Sequence, residues 1–148
     1  MAVTTQFYNS FMEDVGLQRM NLQTDTFKVM LVYNYTFNAA HVQKSEITGE
    51  PPSEHGYDGP ETLEDVIWGW DAVNSFTRLD AEDVTWTAVG GAIGPITGAV
   101  IYNDTTTVPT ADRLVCYVDF DGEETISQDS EFKLTFHADG VFSITQET

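Results

Sequence analysis

Thr26-Phe27-Lys28-Val29-Met30-Leu31-Val32-Tyr33-Asn34-Tyr35 is the stretch that decides the fold class. Phe27, Val29, Leu31, Tyr33 and Tyr35 fall on one side and Lys28, Met30, Val32 and Asn34 on the other, the period of two that belongs to a strand. Apolar residues occur on both sides. The strand is therefore expected inside a covered sheet, or with its outer face against another subunit.

The pattern recurs downstream. Residues 64–70, 72–79, 84–89, 96–103, 114–120, 132–137 and 141–145 are short runs of mostly β-branched or aromatic residues separated by turn formers. This spacing predicts a mainly β chain, a single-domain antiparallel β-sandwich or barrel over residues 21–148. Ala138-Asp139-Gly140 is the clearest hairpin turn, because glycine supplies the positive φ that tight connections demand. No internal repeat or heptad is visible.

Two segments depart from the strand pattern. Phe7, Tyr8, Phe11, Met12 and Val15 recur at helical spacing and Gly16 is a natural stop, which predicts a short amphipathic helix within an N-terminal arm over residues 1–20. Its apolar face is expected to dock on its own domain or, failing that, on a neighbouring subunit. Residues 49–61, with three Pro and three Gly, predict a long surface loop, either a contact arm or a solvated insertion.

Composition sets the surface. The 148 residues carry 24 Asp and Glu against 6 Lys and Arg, a net charge of -18, yet 41% are hydrophobic and 12% aromatic. Enough apolar surface is present to offset the entropy of folding, so the acid belongs outside a folded core. Such a surface repels phosphate backbones and anionic membranes, which excludes nucleic acid and membrane as partners. It suits a salt-rich medium, where at about 1 M the Debye length falls to about 3 Å and self-repulsion nearly vanishes. An ordinary acidic protein, with calcium among its ions, is the other reading. The first residues have neither a basic region nor an apolar stretch, and the expectation is that nothing secretes or anchors the chain.

Chemistry-bearing motifs are weak. Cys116 is the single cysteine and lies in the apolar run Leu114-Val115-Cys116-Tyr117-Val118, as a small core residue would. His41, His55 and His137 are far apart, and neither Asp80-Ala81-Glu82-Asp83 nor Asp119-Phe120-Asp121-Gly122-Glu123-Glu124 matches a calcium loop. No nucleophile elbow, phosphate loop or dinucleotide fingerprint occurs, and with 24 carboxylates no pair is nominated for glycoside hydrolysis. No catalytic, cofactor-binding or metal residue is expected, and the chain is not read as an enzyme. Asn34-Tyr35-Thr36 and Asn103-Asp104-Thr105 match the glycosylation pattern and are read as coincidence, since no leader is expected. Trp68, Trp70 and Trp86 are read as core or subunit contact before sugar platform.

A further pattern spans several of these strands. Asp25-Thr26-Phe27-Lys28-Val29, Leu79-Asp80-Ala81-Glu82-Asp83-Val84-Thr85-Trp86 and Gly98-Ala99-Val100-Ile101-Tyr102-Asn103-Asp104-Thr105 are followed by Tyr117-Val118-Asp119-Phe120, Phe132-Lys133-Leu134-Thr135-Phe136 and Ala138-Asp139-Gly140-Val141-Phe142. Together they resemble small β-sandwich virion proteins of tailed viruses, the last three pieces looking like those proteins' closing hairpin. The resemblance implies an antiparallel β-sandwich of jelly-roll-like type and a capsid decoration or cement protein, assembled in the host cytoplasm, that binds the major capsid protein shell and stabilises the head. With the charge, it implies a tailed virus of a haloarchaeal host. No catalysis comes with it. Residues 49–61 are longer and richer in Pro than the pattern. A neck or tail protein of the same virion is the alternative, and a carbohydrate-binding module a second. A homo-oligomer, a trimer by analogy with capsid symmetry, is expected, with Phe7, Phe11, Tyr57, Trp68 and Trp70 as contact anchors.

Overall fold

The computed structural model describes residues 4–145. In chain order it contains β1 (Thr4–Phe7), α1 (Ser10–Gly16), β2 (Phe27–Val32), β3 (Glu61–Thr62), β4 (Ile67–Asp71), β5 (Phe76–Asp80), β6 (Val84–Thr87), β7 (Ile93–Asn103), β8 (Arg113–Ile126), β9 (Glu131–Leu134) and β10 (Phe142–Ile144). The chain is mainly β with one short helix, and every strand pairing is antiparallel. A five-stranded sheet runs β1-β8-β7-β2-β3, a three-stranded sheet β10-β5-β4, and β6 pairs with β9.

β2 stops at Val32, short of Tyr35, because the chain turns away at Asn34 with φ 50°. Its two apolar faces serve two cores. Phe27, Val29 and Leu31 join Ile101, Val118, Leu79 and Trp86 in the larger cluster, which the small sheets and α1 close in a sandwich-like arrangement. Met30 and Val32 join Tyr8, Tyr35, Val100, Tyr102, Leu114 and Tyr117 on the opposite face, with Phe37 and Ile47 packed alongside. The chain's own segment after β2 thus covers the face that the sequence left open to another subunit.

The Pro/Gly segment 49–61 packs on the body and is not a free arm. Gly49 (φ 91°) lies so close to the Tyr33 carbonyl, and Gly56 (φ 92°) to the Thr87 carbonyl, that a side chain at either position would collide with backbone. Pro51 is buried, and Tyr57 is 1% exposed in the main core while its hydroxyl donates to Glu50 at 3.1 Å.

The N-terminal arm is likewise corrected. Thr4–Phe7 is a strand, the edge of the main sheet against β8, and the helix begins only at Ser10. Phe11 is 1% exposed, and Asp14 is fully buried against Arg113, the first residue of β8. Arg113 Nε and Nη2 donate to the two Asp14 oxygens at 2.9 and 3.0 Å, and Arg19 Nη1 adds a third bond at 3.1 Å. The anticipated closing hairpin is also rearranged. Gly140 makes the tight turn, its N–H bonding the His137 carbonyl at 2.8 Å, but β9 and β10 pair with different partners in different sheets.

Removing one member of a buried charge pair leaves the other unpaired and costs about 3–5 kcal/mol. Asp14→Ala is expected to lower the unfolding free energy by about that much in urea titration at fixed salt. A loss under about 1 kcal/mol, the usual worth of an exposed ion pair, would show the helix to be peripheral.

Candidate interaction surface

The three-stranded sheet has an inner and an outer face, set by its register. Trp68, Leu79 and Phe142 lie side by side across β4, β5 and β10 and face the core. Two residues along, Trp70, Thr77 and Ile144 form the next rung on the same face. This rung runs past the core. Trp70 is 73% exposed and Ile144 47% exposed, although their strand positions are core positions.

An aromatic cluster anchors the rung. The Phe142 ring meets Phe7 edge-on at 5.1 Å and Phe11 at 5.5 Å, and Trp68 at 6.0 Å. Phe7 stacks on Phe11 at 5.8 Å and keeps 41% of its surface in solvent. The five sequence-nominated anchors therefore separate. Phe11 and Tyr57 are core residues, because the helix and the loop that carry them fold into the body. Trp68 is half-buried beside Phe142, whereas Phe7 and Trp70 remain open.

The β4–β5 turn that follows Trp70 is stiff. Asp71 accepts the N–H groups of Val73 and Asn74 at 2.9 and 3.0 Å and the Asn74 side-chain amide at 3.0 Å, which holds its carboxyl below the usual range. Arg78 reaches Asp71 at 3.4 Å, Asp80 at 3.9 Å and the Ala138 carbonyl at 2.9 Å on the outer face. Val73 at the tip is 90% exposed. Val73 and Ile144 were missed in the sequence. Ile144 lay inside a predicted strand, and only its register opposite Thr77 shows that the core ends before it.

Several titratable groups elsewhere are engaged in the fold. Burial pushes the Cys116 thiol up to about 12, so it stays protonated in the core. Tyr8 and Tyr35 share a hydrogen bond of 3.0 Å, and Tyr35 meets His41 Nδ1 at 3.1 Å. Desolvation, with the Tyr35 bond, raises the Tyr8 phenol far above its ordinary value. Asp83 accepts the Phe136 N–H and pairs with Lys133, and Asp119 caps Asp121. Asn103 is buried, its amide donating to Asp25 and its oxygen accepting from Thr105 and Thr106. Among the described residues no group of three or more His, Cys, Asp or Glu is arranged to hold a metal ion. Among them, too, no helix is long and apolar enough to cross a membrane.

All six Lys and Arg lie within 4.0 Å of a carboxylate. The excess charge is thus unrelieved acid. Glu82 shows the consequence locally, its carboxyl raised by a hydrogen bond to Asp65 and by that group's charge. Comparison with protein-family models, with curated proteins and with solved structures gives no match to this chain in any of the three.

Self-repulsion of this kind weakens as salt screens it. The melting temperature is expected to rise as NaCl goes from about 0.1 M to about 1 M and the Debye length falls from about 10 Å to about 3 Å. A melt indifferent to salt would contradict the assignment of the charge to an uncompensated surface.

Proposed function

We propose that the protein is a structural component of a virion, a decoration or cement protein that docks on the major capsid protein shell of a tailed virus through the Trp70 surface. One observation carries this reading. The inner face of the β4–β5–β10 sheet continues one rung beyond its own core, leaving Trp70 and Ile144 uncovered on a frame already rigid. An exposed tryptophan held by a braced hairpin is the kind of anchor that interfaces are built around, since it brings about 150–250 Å² of contact area at little entropic cost. The sequence resemblance supplies the identity of the partner. The acidic coat supports a salt-rich setting, and a homo-oligomer, with the trimer first, would place several such anchors on one shell. Nothing in this role calls for a catalytic step.

The test is co-sedimentation of the full-length protein with empty capsids of the same virus in high salt. Saturable binding at a fixed ratio to the capsid protein is expected. Trp70→Ala should weaken it about thirtyfold, the loss of a hot-spot residue of about 2 kcal/mol, while shifting stability by less than about 0.5 kcal/mol. Binding of full strength by the variant would remove Trp70 from the contact, and no binding by either form would move the protein to the neck or tail. The same open indole favours a second reading, a carbohydrate contact. Quenching of tryptophan fluorescence by host glycans, lost in Trp70→Ala, would select that reading.

A further inference from the structure

A groove of about 540 Å³ runs between β9 and the edge of the five-stranded sheet. Val118, Phe120, Leu134 and Val141 are its buried lining, and Phe132 and Phe136 are half-buried at its wall. Phe132, Lys133 and Leu134 of β9, and residues 135–137 beyond its end, all line it. A strand shows only alternate side chains to either face, so an unbroken run means that the groove follows the strand's edge, backbone included.

That edge is open. Among the described residues β9 pairs only with β6, and β1 only with β8. Ala88 N–H donates to the Ser130 carbonyl at 3.0 Å, and the register Trp86↔Phe132 and Val84↔Leu134 keeps that phase. In an antiparallel ladder alternate residues bond to the partner, so the N–H and C=O of Glu131 and Lys133 point away from β6. The Phe136 N–H turns towards Asp83 on the β6 side, which leaves Thr135 directed outward as well. On β1, Tyr8 N–H bonds the Val115 carbonyl at 3.3 Å, and the same parity turns the backbone of Thr5 outward, where Thr5 lines the groove.

We infer that this groove seats an extended segment of a partner protein, added as a strand along β9, with apolar side chains at alternate positions and Lys or Arg at its ends. Unpaired edge backbone selects a strand, and apolar pockets beside it select alternate apolar side chains. Charge selects the ends. Asp119 and Asp121 flank Phe120, Glu131 precedes Phe132 and Asp139 lies between His137 and Gly140, while Lys133 is taken by Asp83 at 3.2 Å. A second copy of a chain of net charge -18 is repelled from such a rim, and a cationic-ended segment is drawn to it.

The probe is a synthetic peptide, KKVTVTVTVKK, titrated into the isotope-labelled full-length protein while amide shifts and exchange are read. Saturable shifts at Thr5 and over 132–137, with slowed exchange at Lys133 and Thr135, are expected. Lys133→Pro removes an N–H that β6 does not use and should weaken binding about tenfold with the fold retained. Should that variant lose its fold, Phe136→Ser should weaken binding through the groove instead. Shifts that are absent or lie elsewhere would overturn the inference. So would equal affinity for EEVTVTVTVEE or for a peptide with proline at the threonine positions, or a dimer whose contact maps to the groove. Capsid binding enters none of these readings, so this inference and the virion reading fail separately.

Discussion

The buried pair between Asp14 and Arg113 is the constraint on which the rest of the structure depends. Taking two charges out of water costs several kcal/mol for each ion, and only near-ideal geometry with further hydrogen bonds offsets it. Both conditions hold here, with two parallel bonds at 2.9 and 3.0 Å and a third donor from Arg19. Arg113 is also where three separate segments meet. Its backbone N–H donates to Thr106, which Asn103 holds, and neighbouring Asp112 and Leu114 bond to Lys44 and Val42. Helix, covering segment and the base of the β7–β8 pair are thereby fixed to one another.

From that point the main sheet is clothed on both sides by its own chain. The segment after β2 closes one face, and the small sheets and α1 close the other. Large apolar groups remain outside, Met12, Leu17, Val89 and Val108 among them, and two features of the sheets are informative. Trp70 and Ile144 lie on a core-facing row beyond the core, and the β9 edge borders an apolar groove. Both features sit on an acid surface whose cations are all engaged, so each favours a partner that brings its own apolar or basic groups.

Strand content was legible because alternation is local. The run around Phe27 to Val32 and the later β-branched runs became β2 and β4 to β10, most of them within a few residues, although β8 runs on to Ile126, well past Phe120. The N-terminus was misread because Phe7, Tyr8, Phe11 and Val15 fit a helical stripe, whereas Thr4–Phe7 is a strand only by pairing with residues over a hundred positions away. Asp14 gave no signal, since nothing in a chain of 24 acids marks the one that will be buried. Residues 49–61 looked like an arm because Pro and Gly forbid regular structure, but glycines also permit close backbone approach, which is how Gly49 and Gly56 pin that segment down. Tyr57 left the list of anchors for that reason, and Phe11 because α1 is fixed to β8. Trp70 stayed on it, and its exposure could be known only once the register had shown where the core stops.

The N-terminal elements belong to the frame, and contact with a larger assembly is proposed for the uncovered rung of the β4–β5–β10 sheet. Hydrogen exchange of the full-length protein, free and bound to empty capsids, tests both halves at once. Strong protection over residues 10–16 and 113–126 in the free protein, with new protection on binding confined to residues 67–73 and 142–144, is the predicted result. Rapid exchange of residues 10–16 in the free protein, or protection on binding that appears there and not around Trp70, would contradict it.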